Sequence, residues 1–219
     1  MKYRFVLTGM VLAGTTSATA LAMEDSGVDL GVRLGYGIPL GEAAENADLN
    51  DLVTGQVPIW IDAGYRITPN WVVGLYFQYG FAFLADNVCP SGTDCSAHAI
   101  RVGLQGQYRF MPREKVNPWL GLGIGYEWLG GSVSIPSPVG SVDVSLDAHG
   151  FEFVNFQGGA DFQVGDGIGI GPFLSFSLGE YSRGSFDVTG PATASGSDDI
   201  ENQALHEWLT LGVRGAFDL

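Results

Sequence analysis

The most regular feature of this sequence is a period-two alternation of apolar residues with polar or small ones, which recurs eight times. Over residues 28–38, for example, Val28 and Leu30 alternate with Asp29 and Gly31. The other seven segments are 59–67, 71–83, 100–110, 120–128, 154–164, 168–178 and 209–219. Each is longer than the five or six residues usual in soluble sheets and long enough to cross the hydrocarbon of a bilayer when tilted. The chain is therefore predicted to be all-β.

The connections between these segments alternate in length. Residues 68–70, 111–117 and 165–167 form short turns, whereas 39–54, 84–97, 131–150 and 182–204 are long, polar and predicted to be loops. This asymmetry is typical of outer-membrane barrels, and only a closed barrel satisfies the backbone hydrogen bonds of strands in lipid. We predict an eight-stranded antiparallel up-and-down transmembrane β-barrel. The alternative is a soluble lipocalin-like barrel, which would place the Gly, Arg, Asp and Gln positions in water.

The polar phase of the strands predicts the interior of the barrel. An eight-stranded barrel has an interior just wide enough for side chains, so we expect a filled lumen rather than a wide pore. Opposite charges are expected to pair there, because an unpaired buried charge is costly. The predicted network comprises Arg33, Asp62, Arg66, Arg101, Glu127, Asp161 and Arg214. Three glutamates, Glu152, Glu180 and Glu207, fall on the lipid phase and are expected at the outer interface.

The N-terminus has the pattern of a secretory signal peptide. Lys2 and Arg4 precede an apolar run, and small residues end at Ala22. We predict a signal peptide over residues 1–22 and a single outer-membrane β-barrel domain over 23–219, located in the outer membrane. No later segment is apolar over the roughly 18 residues that a transmembrane helix needs.

Composition and charge narrow the possible partners. The chain is rich in glycine (33 of 219 residues), 46% hydrophobic and only 16% charged, with a net charge of −14. This acidity excludes nucleic acid as a partner. The acidic residues gather in the four long loops, where a solvated surface or divalent-cation binding would explain them. The densest cluster, 198–201, matches no calcium-loop spacing, so neither a metal nor a cofactor is predicted.

Two further sets of residues carry possible chemistry. Cys89 and Cys95 lie in one exported loop and predict a disulfide that stiffens the loop. His98, His149 and His206 lie at the long-loop ends of strands, where a hydrolase acting on lipid would need its base. No Gly-x-Ser-x-Gly or other nucleophile motif accompanies them, so no catalytic residue is predicted and the protein is not expected to be an enzyme.

The eight strands, the loop asymmetry and an alternating final strand over 213–219 resemble the small outer-membrane barrels of the OmpA, OmpX and OmpW kind. The last strand resembles the signal read by the barrel-insertion machinery, although it ends in Leu219 instead of the usual aromatic residue. The resemblance implies a non-enzymatic membrane protein whose partners are outer-membrane lipid, lipopolysaccharide and that machinery. Two alternatives remain. One is an OmpW-like conduit for small apolar molecules, lined by Trp60, Trp119, Phe173 and Trp208, and the other is a lipid A hydrolase that uses one of the three histidines.

Overall fold

The computed structural model describes residues 26–45, 47–89, 92–136, 140–191 and 193–219. These residues contain ten strands and one 3₁₀ helix, Leu49–Asp51. The strands are β1 (Gly27–Ala44), β2 (Ala47–Asp48), β3 (Val53–Arg66), β4 (Trp71–Leu84), β5 (Asp94–Arg109), β6 (Val116–Ile135), β7 (Val142–Gly165), β8 (Ile168–Thr189), β9 (Ala194–Asp199) and β10 (Leu205–Asp218). The predicted signal peptide, residues 1–22, lies outside the described residues.

Eight of these strands close into an antiparallel ring in the order β1-β3-β4-β5-β6-β7-β8-β10. Strand β10 closes the ring because it pairs with β1 on one side and with β8 on the other. The short strands β2 and β9 pair only with β1 and β8, in the loops. The predicted eight-stranded barrel is therefore confirmed.

The two faces of the barrel wall have opposite polarity. Lipid-phase residues are exposed, as for Leu34 and Leu122, each 56% exposed, whereas Arg33 and Arg101 on the opposite phase are fully buried. The strands thus turn apolar side chains outward and polar ones inward, as in membrane barrels. In the described part of the chain, no helix is long and apolar enough to span a membrane.

The two ends of the barrel differ. At one end, here called the short-turn end, tight turns join the strands, and the turn between β7 and β8 is only Asp166 and Gly167. Gly167 adopts a φ of +67°, a conformation that favours glycine. The described chain also begins and ends there, because Gly27 is paired with Arg66 and Asp29 with Asp218. The other end is called the long-loop end.

At the long-loop end the structure departs from the prediction. Residues 131–150 and 182–204 were expected as loops but are largely strand. Strands β6, β7 and β8 continue well beyond the rim, the level at which β1, β3, β4 and β10 end. Together with β5 and β9 they form a protruding sheet, the extension, made of residues 94–98, 129–135, 142–149, 183–189 and 194–199. The extension also alternates with period two, but its apolar residues point toward the barrel axis.

Glu152 lies inside the barrel and not at the lipid interface, so that prediction was wrong. A β-bulge between Glu152 and Val154 inserts an extra residue into β7 and reverses the faces of the residues that precede it. Glu152 is 1% exposed, receives a hydrogen bond from Asn155 Nδ2 (2.8 Å) and contacts the Tyr76 hydroxyl. Glu180 and Glu207 are only partly exposed.

Candidate functional site: the polar interior and its apolar cap

The centre of the lumen is organised around Arg33. Its Nε and Nη2 donate to the two carboxylate oxygens of Asp62 at 2.6 and 2.9 Å, and its Nη1 donates to Gln157 Oε1 at 2.6 Å. Gln105 accepts from Nη2 at 3.2 Å and donates to Asp62 Oδ1 at 2.8 Å. These partners lie on β3, β5 and β7, so the guanidinium joins the barrel wall across its axis.

Aromatic rings surround the same guanidinium. Its carbon lies 4.9 Å from the ring centroid of Trp60 and 5.5 Å from those of Trp119 and Phe173. All three rings are at most 1% exposed. Cation–π contacts of this kind stabilise a buried charge beyond its ion pair. The inward direction expected for these rings is the one observed, but they contact arginine instead of facing an open trough.

A second arginine, Arg214, continues the network toward the short-turn end. It stands directly opposite Arg33 in the β1–β10 pair, and its guanidinium carbon is 4.5 Å from the Trp119 centroid. Its Nη1 lies 3.3 Å from Asp161 Oδ2 and its Nη2 lies 3.7 Å from Asp29 Oδ1. Two like charges in neighbouring strands are thus each balanced by a carboxylate.

Near the short turns, Arg109 completes the interior charge pairing. It forms ion pairs with Asp29 and with Asp218, the latter at 2.8 Å from Nη1. Asp218 Oδ1 also lies 3.0 Å from Arg66 Nη1, which is 20% exposed at the edge of the lumen. Asp29 and Arg109 share the polar phase of their strands, so the alternation could have added them to the predicted network.

Toward the long-loop end, Glu127 is the central acceptor. Its carboxylate accepts hydrogen bonds from Arg101 Nε at 2.9 Å and from the Tyr181 hydroxyl at 2.7 Å, and His206 Nε2 lies 3.4 Å from it. The His206 ring stacks on Tyr181 with centroids 4.0 Å apart. Arg101 Nη1 also lies 3.8 Å from Glu152 Oε1, so one guanidinium serves two carboxylates. The sequence placed Arg101 and Glu127 together in the lumen. It did not identify Tyr181, and it suggested His206 only as a possible base of a hydrolase.

An apolar cluster, here called the cap, lies at the long-loop end of this polar interior. The 3₁₀ helix carries Leu49 over the mouth, where it is fully buried in one cluster with Val53, Ala82, Tyr181 and Trp208. Residues from the base of the extension pack against the same cluster, among them Ala97, Leu129 and Ala148. The residue that inserts was predicted only as part of a polar loop.

The three histidines do not share a site. His206 is buried in the lumen, whereas His98 and His149 lie on the outward face near the rim. His98 stacks on Tyr79, and His149 Nδ1 is 2.5 Å from the Tyr126 hydroxyl. Within the residues that the structure describes, no cluster of three or more His, Cys, Asp or Glu side chains is arranged to hold a metal ion.

The predicted disulfide is present between Cys89 and Cys95, whose Cα atoms are 6.0 Å apart. It closes the segment between β4 and β5 at the long-loop end. Cys95 lies in β5 opposite Val133, so the bridge is anchored to the first strand of the extension.

Comparisons with known proteins found solved structures that are similar to this chain. A major outer membrane protein from Thermus thermophilus superimposes with a TM-score of 0.56 at 10% identity, over 89% of this chain and 99% of that one. Neisserial surface protein A matches with a TM-score of 0.46 at 14% identity, over 87% and 98% of the two chains. OprG from Pseudomonas aeruginosa gives 0.45 at 14% identity, over 89% and 98%. No curated protein sequence is significantly similar to this chain.

The family assignment comes from the sequence profile of the autotransporter β-domain, which matches residues 60–219. This match covers well over half of the chain, from the middle of β3 to the last residue. The predicted outer-membrane location is thereby confirmed. This chain, an outer-membrane β-barrel, belongs to the autotransporter β-domain family.

Proposed function

We propose that this protein is a non-enzymatic integral outer-membrane barrel with a filled lumen, whose acidic long-loop end faces the outside of the cell in a structural or surface-interaction role. The observation that carries this proposal is the enclosure of Arg33. Its side chain is 0% exposed, is hydrogen-bonded to three strands other than its own and is surrounded by three aromatic rings. A guanidinium held in this way blocks the axis of an eight-stranded barrel.

The orientation follows from the ends of the barrel. Short turns face the periplasm in outer-membrane barrels and long loops face outward. The predicted signal peptide precedes β1, which starts at the short-turn end. The extension and the acidic loops then stand above the outer leaflet, surrounded by lipopolysaccharide, and the alternating strand β10 is the element offered to the barrel-insertion machinery.

The two alternative functions have less support. A conduit for apolar molecules needs an apolar passage, but Trp60, Trp119 and Phe173 pack on Arg33 and the cap covers the mouth. A lipid hydrolase needs a histidine beside a nucleophile on the lipid face. His206 lies inside, and the nearest polar contact of His149 is a tyrosine hydroxyl.

The filled lumen is tested by single-channel recording of the refolded protein in planar bilayers. We expect no discrete conductance steps from the wild-type protein. The triple variant Arg33→Ala, Trp119→Ala, Leu49→Ala is expected to conduct, because it removes the guanidinium, one of its rings and the residue that the cap inserts over the mouth. Leu34→Ala is the matched control, since it changes the adjacent lipid-facing residue of the same strand.

Heat-modifiable migration on gels shows first that each variant is folded. Discrete conductance from the folded wild-type protein would overturn the filled lumen. A folded triple variant as silent as Leu34→Ala would show that Arg33, Trp119 and Leu49 are not what blocks the axis.

A further inference from the structure

The inner face of the extension is apolar, and its upper half is uncovered. Its inward residues are Val133, Ile135, Val142, Val144, Leu146, Phe186 and Val188. Leu146 is 57% exposed, and Ile135 and Phe186 are each 45% exposed. The outward residues of the same strands are polar, such as Ser132, Ser145 and Ser185. The extension therefore has one apolar and one polar face, like a sheet in a soluble protein. The apolar face of such a sheet packs against another layer of structure.

Only the lower half of this face has a partner within the described chain. Ala97, Leu129 and Ala148 pack against the cap around Leu49, whereas the residues above them stand clear of that cluster. A contiguous exposed apolar patch on a folded protein marks an interaction site, because burying apolar surface away from water is favourable. The upper inner face, meaning the seven residues Val133 to Val188 given above, is thus a candidate docking surface.

The shape of this surface limits what can occupy it. Among the described residues, the extension is formed by β5–β9 alone, because β1, β3, β4 and β10 reach no further than the rim, at Ala44, Val53, Leu84 and Leu205. Beyond Tyr181, strand β8 continues for eight residues, or about 25 Å of extended chain. A small hydrocarbon on a one-sided wall would leave much of its own surface in water. An amphipathic polypeptide segment, with one apolar and one polar face, fits a wall open on one side.

The charge around the surface specifies the polar part of the partner. The floor and border carry the carboxylates of Glu42, Glu45, Asp48, Asp51, Asp198 and Glu201. Asp198 lies on the inner face itself, opposite Gly184. Of the basic residues in the described chain, Arg183 alone lies in this region; it is on the outer face, 3.0 Å from Asp199. A complementary partner is therefore basic.

We infer that the upper inner face binds a cationic amphipathic polypeptide segment, with apolar residues on Leu146 and Phe186 and basic residues beside the acidic loops. This inference rests on the proposed function, because it requires the extension to face outward. It adds the chemical class of the partner and the strands that receive it.

The binding test uses the full mature chain in phosphatidylcholine nanodiscs and a fluorescently labelled 14-residue amphipathic peptide of leucine and lysine. Anisotropy is measured against empty nanodiscs, which report peptide bound to lipid. We expect saturable binding to the wild-type protein and a loss of affinity of tenfold or more in the Leu146→Ser, Phe186→Ser double variant. A Ser145→Ala, Ser185→Ala double variant changes the neighbouring residues of the same strands on the opposite face and is expected to stay within twofold of wild type.

Three results would overturn the inference. The first is equal affinity of the wild-type protein and the Leu146→Ser, Phe186→Ser variant. The second is equal binding of an otherwise identical leucine and glutamate peptide. The third is binding of the apolar dye N-phenyl-1-naphthylamine, lost in the same variant, without binding of the cationic peptide, which would assign the surface to a small apolar ligand.

A separate measurement distinguishes this inference from the proposed function. A Leu146→Cys variant is treated on intact cells with a membrane-impermeant maleimide. Labelling without peptide binding would refute the inference alone, whereas no labelling of a folded, surface-inserted barrel would refute the outward orientation of the long-loop end.

Discussion

The barrel wall and the extension are parts of the same strands with opposite polarity. In β7, Phe156 is exposed to lipid and Gln157 is buried in the lumen, but higher on the same strand Ser145 faces outward and Leu146 inward. The hydrogen-bonded ladder continues through both regions, so the backbone does not determine which face is apolar. The solvent outside the sheet determines it: hydrocarbon along the wall and water beyond the rim.

The strands reach this inversion in two ways. In β6 the apolar residues change from even positions up to Trp128 to odd positions from Leu129 onward, and no extra residue is needed. In β7 and β8 the apolar residues stay mostly at even positions, and bulges at Glu152–Val154 and at Ser182 reverse the faces instead. These irregularities lie at the rim, where the aromatic residues Tyr126, Trp128 and Phe151 also gather.

The largest effect is expected from shifting the register of the barrel wall. Strand β5 pairs with β4 and β6 without a bulge. Deletion of Val102 from β5 would turn either Arg101 or Arg109 from the lumen into the lipid, because a shift of one residue exchanges the faces of a strand. We expect no folded barrel, measured as loss of the heat-modifiable band. Deletion of Glu201, in the connection between β9 and β10, is the control and should leave that band unchanged. A folded Val102 deletion would show that the wall tolerates an exchange of its faces.

The next largest effect is expected from removing one partner of an ion pair, and the loss of stability should differ between the barrel interior and the extension. Asp62→Ala would leave Arg33 buried without its carboxylate and is expected to lower the free energy of unfolding by about 3–5 kcal/mol. Arg183→Ala breaks the exposed pair with Asp199 in the extension and should cost about 0–1 kcal/mol. Urea unfolding in lipid vesicles measures both. Equal costs would contradict the assignment of one pair to the interior and the other to solvent.

Inserting a charge at two heights on the outward face of β6 tests where the membrane ends along the strand. Leu122→Arg places a cation in hydrocarbon and is expected to cost about 2–4 kcal/mol. Ser132→Arg lies on the same outward face of β6 above the rim and should change the free energy of unfolding by less than about 0.5 kcal/mol. The same urea unfolding measurement applies. A similar penalty at both positions would place residue 132 inside the membrane.

The smallest effect on the barrel is expected from the disulfide. Replacing both Cys89 and Cys95 with serine releases a crosslink of sequence separation 6 at the edge of the extension. The barrel should unfold at the same urea concentration, while limited proteolysis between β4 and β5 should become faster, since a short closed segment is constrained only locally. A shift in the unfolding midpoint would show that this loop is coupled to the wall.

The architecture of the barrel wall can be predicted from the sequence alone. Alternation over ten or more residues and unequal connections are sufficient to predict eight membrane strands, because lipid imposes one strict rule on every position of the outer face. The same rule identified Arg33, Asp62, Arg101, Glu127, Asp161 and Arg214 as interior residues, and the structure places them there. Residues 132–135 and 142–149 also alternate, but their polar composition favours a loop.

Register and contacts between distant segments, by contrast, are visible only in the folded chain. A bulge is a single extra residue and has no characteristic sequence. The inward position of Glu152 is therefore visible only from the pairing of β7 with β6 and β8. The stacking of His206 on Tyr181 and the insertion of Leu49 over the mouth join strands and loops far apart in the chain. Periodicity reports the face of each residue, whereas closure of the ring decides which residues of that face meet.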